Sequence, residues 1–346
     1  MDNRIRAILY ALLAAAFYAA NIPVSKILLS SVEPTFMAAF LYLGAGVGIG
    51  IMLLYHNQKN HQKNQERAEK LTRQDLPYTV GMILLDIAAP ILLMLGISIG
   101  SPANASLLGN FEIVATTLIA LYIFHESVSV RLWIAVSLIT LSSMILSFDN
   151  IDGLKFSIGS LFVLGAAACW GLENNCTRQI SHKSAYEIVI LKGLFSGGGA
   201  FVIALVIGET FPEIKYIFYA MILGFVAYGL SIFFYIRAQS VIGAAKTSAY
   251  YAVAPFIGVF LSFIFFHENL TWRFLIALFV MAAGSILVVA DTLILQHAHT
   301  HSHILTRIHD GKIYNYTIIH SHPHNHYGQI HAHRHFHSAS ELERQI

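Results

Sequence analysis

Of the 346 residues, 56% are apolar and only 12% carry a formal charge. That charged share is about half of what an ordinary soluble domain shows, which excludes a water-soluble globule. The 21 Lys and Arg against 19 Asp and Glu leave a net charge of +2, too balanced for a nucleic-acid binder, so partners are sought in the lipid bilayer. Thirteen of the 18 histidines fall between His297 and His337, so composition splits the chain into an apolar body and a His-rich tail.

Long stretches free of Asp, Glu, Lys and Arg recur along the body, each approaching the ~20 residues that cross a hydrocarbon core. They predict ten membrane helices, near 5–28, 34–55, 77–98, 102–123, 130–148, 157–178, 185–207, 215–238, 241–265 and 270–294. Ten such runs cannot all be buried inside one soluble globule of this length. Alternate loops carry 12 Lys and Arg on one side, including Arg4, Lys63 and Arg131, against Lys26, Lys155, Lys215 and Arg273 on the other. The positive-inside rule then puts both termini in the cytoplasm of a protein in the plasma or inner membrane.

Helix 1 is interrupted by Asn21, Pro23 and Ser25, a polar break at a proline that leaves a backbone carbonyl unpaired. Helix 2 carries Gly44, Gly46, Gly48 and Gly50, and helix 7 carries Gly193, Gly197, Gly198 and Gly199, small residues that let helix backbones approach. Asp86 falls near the middle of helix 3 and Glu112 near the middle of helix 4. An ionisable group at such depth costs at least ~2.5 kcal/mol on insertion scales, so it faces a cavity or a partner, and a carboxyl there can take up and release a proton. In helix 6, Glu173 to Thr177 forms a second polar break, and Lys192 in helix 7 lies at a depth that allows an ion pair with Glu173, read as a structural latch. Asp86, Glu112, Asn21, Glu173 and Lys192 are therefore the candidate substrate-binding or proton-coupling residues. Cys169 and Cys176, seven apart on one helix, are about 10 Å apart and beyond disulfide reach. Tyr250, Tyr251, Phe256 and Phe260 read as packing, and His125 and His267 as helix-end residues. No nucleophile, acid and base occur at enzyme-like spacing, so no enzyme and no required cofactor is expected.

The chain also repeats. Gly100–Asp149 lies over Ile242–Asp291 at a shift of 142, aligning Phe124-His125-Glu126 with Phe266-His267-Glu268. Earlier in each half the shift is 152, pairing Tyr18 with Trp170, Asn21 with Glu173 and Ser25 with Thr177. Five helices per unit is odd, so the second copy enters the membrane from the opposite face. The expected fold is an all-α integral membrane protein of ten transmembrane helices in two inverted five-helix repeats. Residues 1–149 form the first repeat, 150–294 the second and 295–346 a cytoplasmic tail.

With this repeat, the runs from Glu112-Ile113 to His125-Glu126 and from Ala254-Pro255 to His267-Glu268 resemble the ends of the fourth helices in the ten-helix EamA type of the drug/metabolite transporter superfamily. The resemblance covers about residues 5–292 and implies a central cavity lined by helices 1–4 and 6–9, with helices 5 and 10 peripheral. It implies a secondary transporter that moves a small organic metabolite or drug by alternating access.

In the tail, His297, His299, His301 and His303 alternate, as do His320, His322, His324 and His326. Neutral imidazole binds divalent metals, here zinc or nickel. Asp310-Gly311 is a hairpin signal between two β-rich runs. A two-residue turn makes paired positions sum to 621, setting His301 opposite His320, His299 opposite His322 and His297 opposite His324. Pro323 argues that the outer rungs form an edge or an irregular extension rather than regular ladder. The expected partners are a small-molecule substrate, the bilayer and a divalent ion on the tail, with no nucleic acid. Competing readings are a divalent metal transporter and a membrane-anchored metal sensor.

Overall fold

A computed structural model describes residues 3–59, 71–123, 128–150, 155–180, 183–242, 247, 250–267, 271–292, 295–309 and 312–326. They fall into two bodies, 1–289 and 290–346.

The first body is a helical bundle. Its helices are α1 (Asn3–Ala19), α2 (Asn21–Leu28), α3 (Pro34–Lys59), α4 (Leu76–Ile99), α5 (Pro102–Leu108), α6 (Phe111–Tyr122) and α7 (Val130–Ser147). After a short ladder of β1 (Phe148–Asn150) with β2 (Lys155–Phe156) come α8 (Ile158–Ile180), α9 (Ala185–Leu191), α10 (Gly197–Ile207), α11 (Ile214–Gly224) and α12 (Ser231–Ile242). The helices α13 (Ala254–Phe266) and α14 (Trp272–Thr292) complete it. Seven helical segments among the described residues are long and apolar enough to cross a bilayer. Ile51, Leu54, Val206, Phe279 and Ile286 are more than half exposed, an outer surface that suits hydrocarbon and opposes water.

Local chemistry explains the helix ends. The Ser101 Oγ accepts from the Asn104 amide at 3.3 Å while Pro102 occupies the first turn of α5, a cap followed by the residue that lacks an amide to satisfy. Asp75 Oδ2 accepts from the Thr72 amide and hydroxyl at 2.7 and 2.8 Å before α4. Gly208, at φ 76°, ends α10, and His267, at φ 50°, ends α13. His267 is thus a helix-end residue; Phe124-His125-Glu126 and Glu268 lie outside the described residues.

Helix 1, expected to be interrupted at Asn21 to Ser25, is broken just before Asn21, and the fourth span, expected to be continuous, is broken too. The first span divides at Ala20 into α1 and α2, and the fourth divides at Gly109-Asn110 into α5 and α6. Glu112 is therefore in the first turn of α6 rather than mid-helix, where the helix dipole favours a carboxylate. The seventh and eighth spans instead run through widened π turns, Lys192–Ser196 and Phe225–Leu230. In the expected ninth span the described α-helix covers Ala254–Phe266. Cys169 and Cys176 are both free.

Close contacts fix the helix directions. Leu41 and Gly44 of α3 meet Gly224 and Met221, and Gly48 and Ile49 meet Phe225 and Gly229, so α3 packs closely along α11 and the π turn that follows it. Leu43 and Gly46 meet Gly197 and Gly193 in falling order, so α3 runs antiparallel to α10. Along α4 and α8, Gly96 meets Val163 and Gly81 meets Cys176, again antiparallel. Ser142 of α7 donates to the Ala277 carbonyl of α14 at 2.7 Å, and Arg273 of α14 donates to the Ile145 carbonyl of α7 at 2.9 Å. The helices α7 and α14, which end the two halves, are therefore antiparallel. Glycine makes this approach possible: a Cβ on Gly44 would stand 2.1 Å from the Met221 carbonyl oxygen, and one on Gly193 2.3 Å from Gly46. The expected packing role fits these residues, whereas Gly50 and Gly198 would meet nothing within 4 Å.

The second body contains an antiparallel hairpin of β3 (Leu295–His309) with β4 (Lys312–His326). The backbone register pairs His301 with His320, His299 with His322 and His297 with His324, the pairing a two-residue turn dictates; that turn, Asp310-Gly311, lies outside the described residues, as do His331, His333, His335 and His337. The expected irregularity at Pro323 is corrected, because the ladder continues from Ala298–Pro323 to Leu295–His326. The rung His309–Lys312 closes the turn and is a hydrogen-bonded pair. Counting outward by two makes His301–His320 a pair of the same kind and Ala298–Pro323 one whose amides point away from the partner strand. Proline's missing N–H therefore costs no ladder bond.

Candidate functional site

The five candidate residues of the bundle fall into three bonded groups, two of them joined by α8. Lys192 opens the first π turn, and its Nζ lies 2.5 Å from Glu173 Oε1 and 3.3 Å from Asp86 Oδ2. Asp86 and Glu173 are almost fully buried, at 1% and 3% exposure. Thr177 Oγ1 also donates to Glu173 Oε1, and Tyr42 Oη donates to Asp86 Oδ1 at 2.9 Å. The expected ion pair of Glu173 with Lys192 is therefore present, and it includes Asp86 as a third member. Within this cluster two carboxylates face one ammonium, a formal charge of −1. Charges taken out of water are tolerable only with partners of this kind.

Glu112 belongs to the second group. Its Oε1 accepts from Asn174 Nδ2 at 2.6 Å, and the neighbouring Asn175 Nδ2 donates to the Gly171 and Thr116 carbonyls at 2.8 and 3.3 Å. No hydrogen bond or ion pair joins Asp86 directly to Glu112 among the described residues. The link is the backbone of α8, where Glu173 and Asn174 are consecutive.

Asn21 is fully buried and donates from Nδ2 to Tyr228 Oη at 2.9 Å, while Ser25 Oγ donates to Asn21 Oδ1 at 3.1 Å. The rings of Tyr228 and Tyr42 are 5.2 Å apart. A chain of contacts thus runs from Ser25 and Asn21 to Tyr228, across the tilted ring pair to Tyr42, and on to Asp86, Lys192 and Glu173.

Sequence reasoning missed Tyr42, Tyr228 and Pro90. Pro90 occurs four residues after Asp86 inside α4, so it lacks the amide that would bond the Asp86 carbonyl. Tyr228 is the counterpart of Asp86 at the repeat shift of 142, a signal that was available. By the same shifts the Asn21–Tyr228 bond is the counterpart of the Glu173–Asp86 pair bridged by Lys192, and Ser25–Asn21 is the counterpart of Thr177–Glu173. Both places thus carry the same i to i+4 hydroxyl bond, but the break expected at Glu173 to Thr177 is corrected: α8 runs unbroken from Ile158 to Ile180.

At the Ser101 end of the bundle is a cavity of about 480 Å³, lined by Ser101, Pro102, Asn104, Phe263, Phe266, Thr271 and Phe274. It shares no lining residue with the ionic cluster. Nearby in sequence, Lys26 Nζ donates to the Ile97, Ser98 and Gly100 carbonyls at 2.7, 3.0 and 3.0 Å, closing the C-terminus of α4. Glu209 accepts from the Thr35 and Phe36 amides at 3.0 and 2.8 Å, closing the N-terminus of α3. Among the described residues no group of three or more His, Cys, Asp or Glu is placed to hold a metal ion.

Known proteins match the chain along most of its length. A protein described as an uncharacterized transporter from Methanothermobacter thermautotrophicus is 26% identical over 268 residues, covering 74% of this chain and 78% of that protein. A solved crystal structure at 14% identity shares the fold, with a TM-score of 0.59 over 83% of this chain and 96% of that one. The EamA-like transporter family model matches twice, at residues 5–148 and 157–290. With two copies of that unit in a bundle of apolar spans, the chain is a multi-pass membrane protein and belongs to the EamA-like transporter family.

Proposed function

We propose that the chain is a secondary transporter that carries a small organic solute by alternating access, with Asp86 and Glu112 binding substrate or proton and Asn21, Glu173 and Lys192 completing the site. Ten spans form two inverted repeats, 1–149 and 150–294, with both termini cytoplasmic. The observation that carries this reading is the cluster of Asp86, Glu173 and Lys192, which brings ionisable groups of both halves together inside an apolar bundle. Buried charge at a repeat interface is the usual sign of a transport path. The antiparallel pairing of α7 with α14 supports the inverted arrangement, because these helices occupy equivalent places in the two halves. Residues 295–346 form a tail that binds zinc or nickel through His297, His299, His301, His303, His320, His322, His324 and His326, and the backbone register of the hairpin supports pairing of six of them.

Counterflow in proteoliposomes tests the reading. Exchange of an organic solute in a broad screen is the expected result. Metal flux without solute exchange would replace the substrate, and absence of both with a metal-dependent conformational change would leave a sensor.

A further inference from the structure

The bundle holds more negative than positive charge around its centre. Asp86, Glu112 and Glu173 oppose Lys192, a formal sum of −2 carried by residues whose contacts are given above. Uncompensated charge in an apolar interior costs several kcal/mol per ion, so the site is built to receive positive charge. The place for it is also marked. Lys192 leans onto Glu173 at 2.5 Å and stands off from Asp86 at 3.3 Å, and Asp86 Oδ2 is buried with no hydrogen-bond partner. The other oxygen of the same carboxylate is fixed by Tyr42. Asp86 therefore presents a carboxylate held by Tyr42 on one oxygen and met on the other only by the longer ion pair to Lys192, an ammonium on a flexible stem that begins a widened helical turn. Such turns interrupt the regular ladder and recur at functional sites.

We propose that the site takes an organic cation, an ammonium or guanidinium, at Asp86 Oδ2, and that Lys192 is the resident counter-ion that closes on Asp86 when the cation leaves. This deepens the transport reading and rests on the same cluster. When the cation is bound, Lys192 pairs with Glu173 alone. When it is absent, the ammonium serves both carboxylates. Substrate and Lys192 then compete for one oxygen, which keeps a buried carboxylate from being left bare at any stage.

The test uses the full chain in nanodiscs with Trp133→Phe and Trp272→Phe, leaving buried Trp170, one turn before Glu173 on α8, as the fluorescent reporter. Butylammonium and methylguanidinium are titrated against butyrate and butyramide, an anion and a neutral molecule of similar size. The expected result is a saturable response to the cations alone, weakened at least tenfold by Asp86→Asn and tightened at least tenfold by Lys192→Met, which removes the competitor. Should Lys192→Met not fold, Lys192→Arg retains the competing charge, and the unsubstituted chain decides by its cation preference. A response to butyrate, an absence of response to every cation, or loss of cation binding in Lys192→Met overturns the proposal. Cation binding without flux in proteoliposomes removes the transport reading and leaves this assignment standing. Flux confined to anions or neutral solutes does the reverse.

Discussion

Replacing Gly224 by alanine probes the contact on which the bundle's centre depends. A Cβ on Gly224 would stand 2.0 Å from the Leu41 carbonyl oxygen and 2.6 Å from its carbon. Ordinary contact begins near 3.4 Å, so one backbone must withdraw by about 1.4 Å in an interior packed as densely as an organic crystal. No flexible side chain can absorb the move, since the obstructing atoms are main chain on a helix held between α10 and α11. Overpacking of this kind costs about 1–3 kcal/mol. Alanine also gains up to ~1 kcal/mol of helix propensity over glycine, which would mask part of the loss. Gly50→Ala supplies the correction, because on α3 it gains the same propensity and meets nothing within 4 Å. The difference between the two variants is therefore the packing term. Apparent melting temperature in detergent, followed with a dye that reacts as the half-buried Cys169 and Cys176 become exposed, should be lower for Gly224→Ala than for Gly50→Ala by about 2–12 °C at one scan rate. A Gly224→Ala protein that melts with or above Gly50→Ala would refute the interlocked contact.

Asp86→Asn and Glu112→Gln, made separately, keep size and some hydrogen bonding while removing ionisation, so each should abolish solute exchange or flatten its pH dependence without loss of membrane insertion; normal exchange by both across the pH range would move the site elsewhere. Lys26→Met removes three donations to the end of α4 and should cost about 1–3 kcal/mol of stability, measured as a lower melting temperature that Lys26→Arg partly restores. Cysteines introduced at Gln62 and Asn325, in a background lacking Cys169 and Cys176, should react only with reagent on the cytoplasmic side, and reaction of either from outside would invert the topology. Zinc binding by the full chain should weaken in a variant with His299, His301, His320 and His322 changed to alanine and in Gly311→Val, and should fall as pH drops through ~6.5, because protonated imidazole cannot ligate; unchanged affinity in both variants would mean that register plays no part.

Hydropathy made the bundle's spans legible, since the cost of placing charge in hydrocarbon is written into every window of the sequence. The same measure is blind to a widened turn: Phe225–Leu230 is as apolar as the helices around it, Lys192 in the other turn reads only as a buried charge, and one extra residue in a turn leaves composition unchanged. The break before Glu112 was signalled by Gly109-Asn110, but a polar pair inside an apolar run reads equally as a packed helix. Asp86 and Glu173 stood out as charges where charge is expensive. Tyr42 and Tyr228 did not, because a tyrosine's ring satisfies the hydropathy pattern while its hydroxyl does separate work. The hairpin register was legible from turn length alone, whereas the tolerance of Pro323 required knowing which rung types alternate along the ladder.

The repeat left a difference between its copies. One junction is held by neutral groups, Asn21 on Tyr228, and its counterpart by ions, Glu173 and Asp86 across Lys192. In a carrier whose halves trade shapes, perfect copies would give two end states of equal energy. On the proposed alternating-access reading, one junction would respond to counter-ions and the other only to geometry, so the two end states would weigh differently and the protein would have a preferred resting side. Duplication supplied two matched contacts, and on that reading their divergence is what would give the carrier a direction.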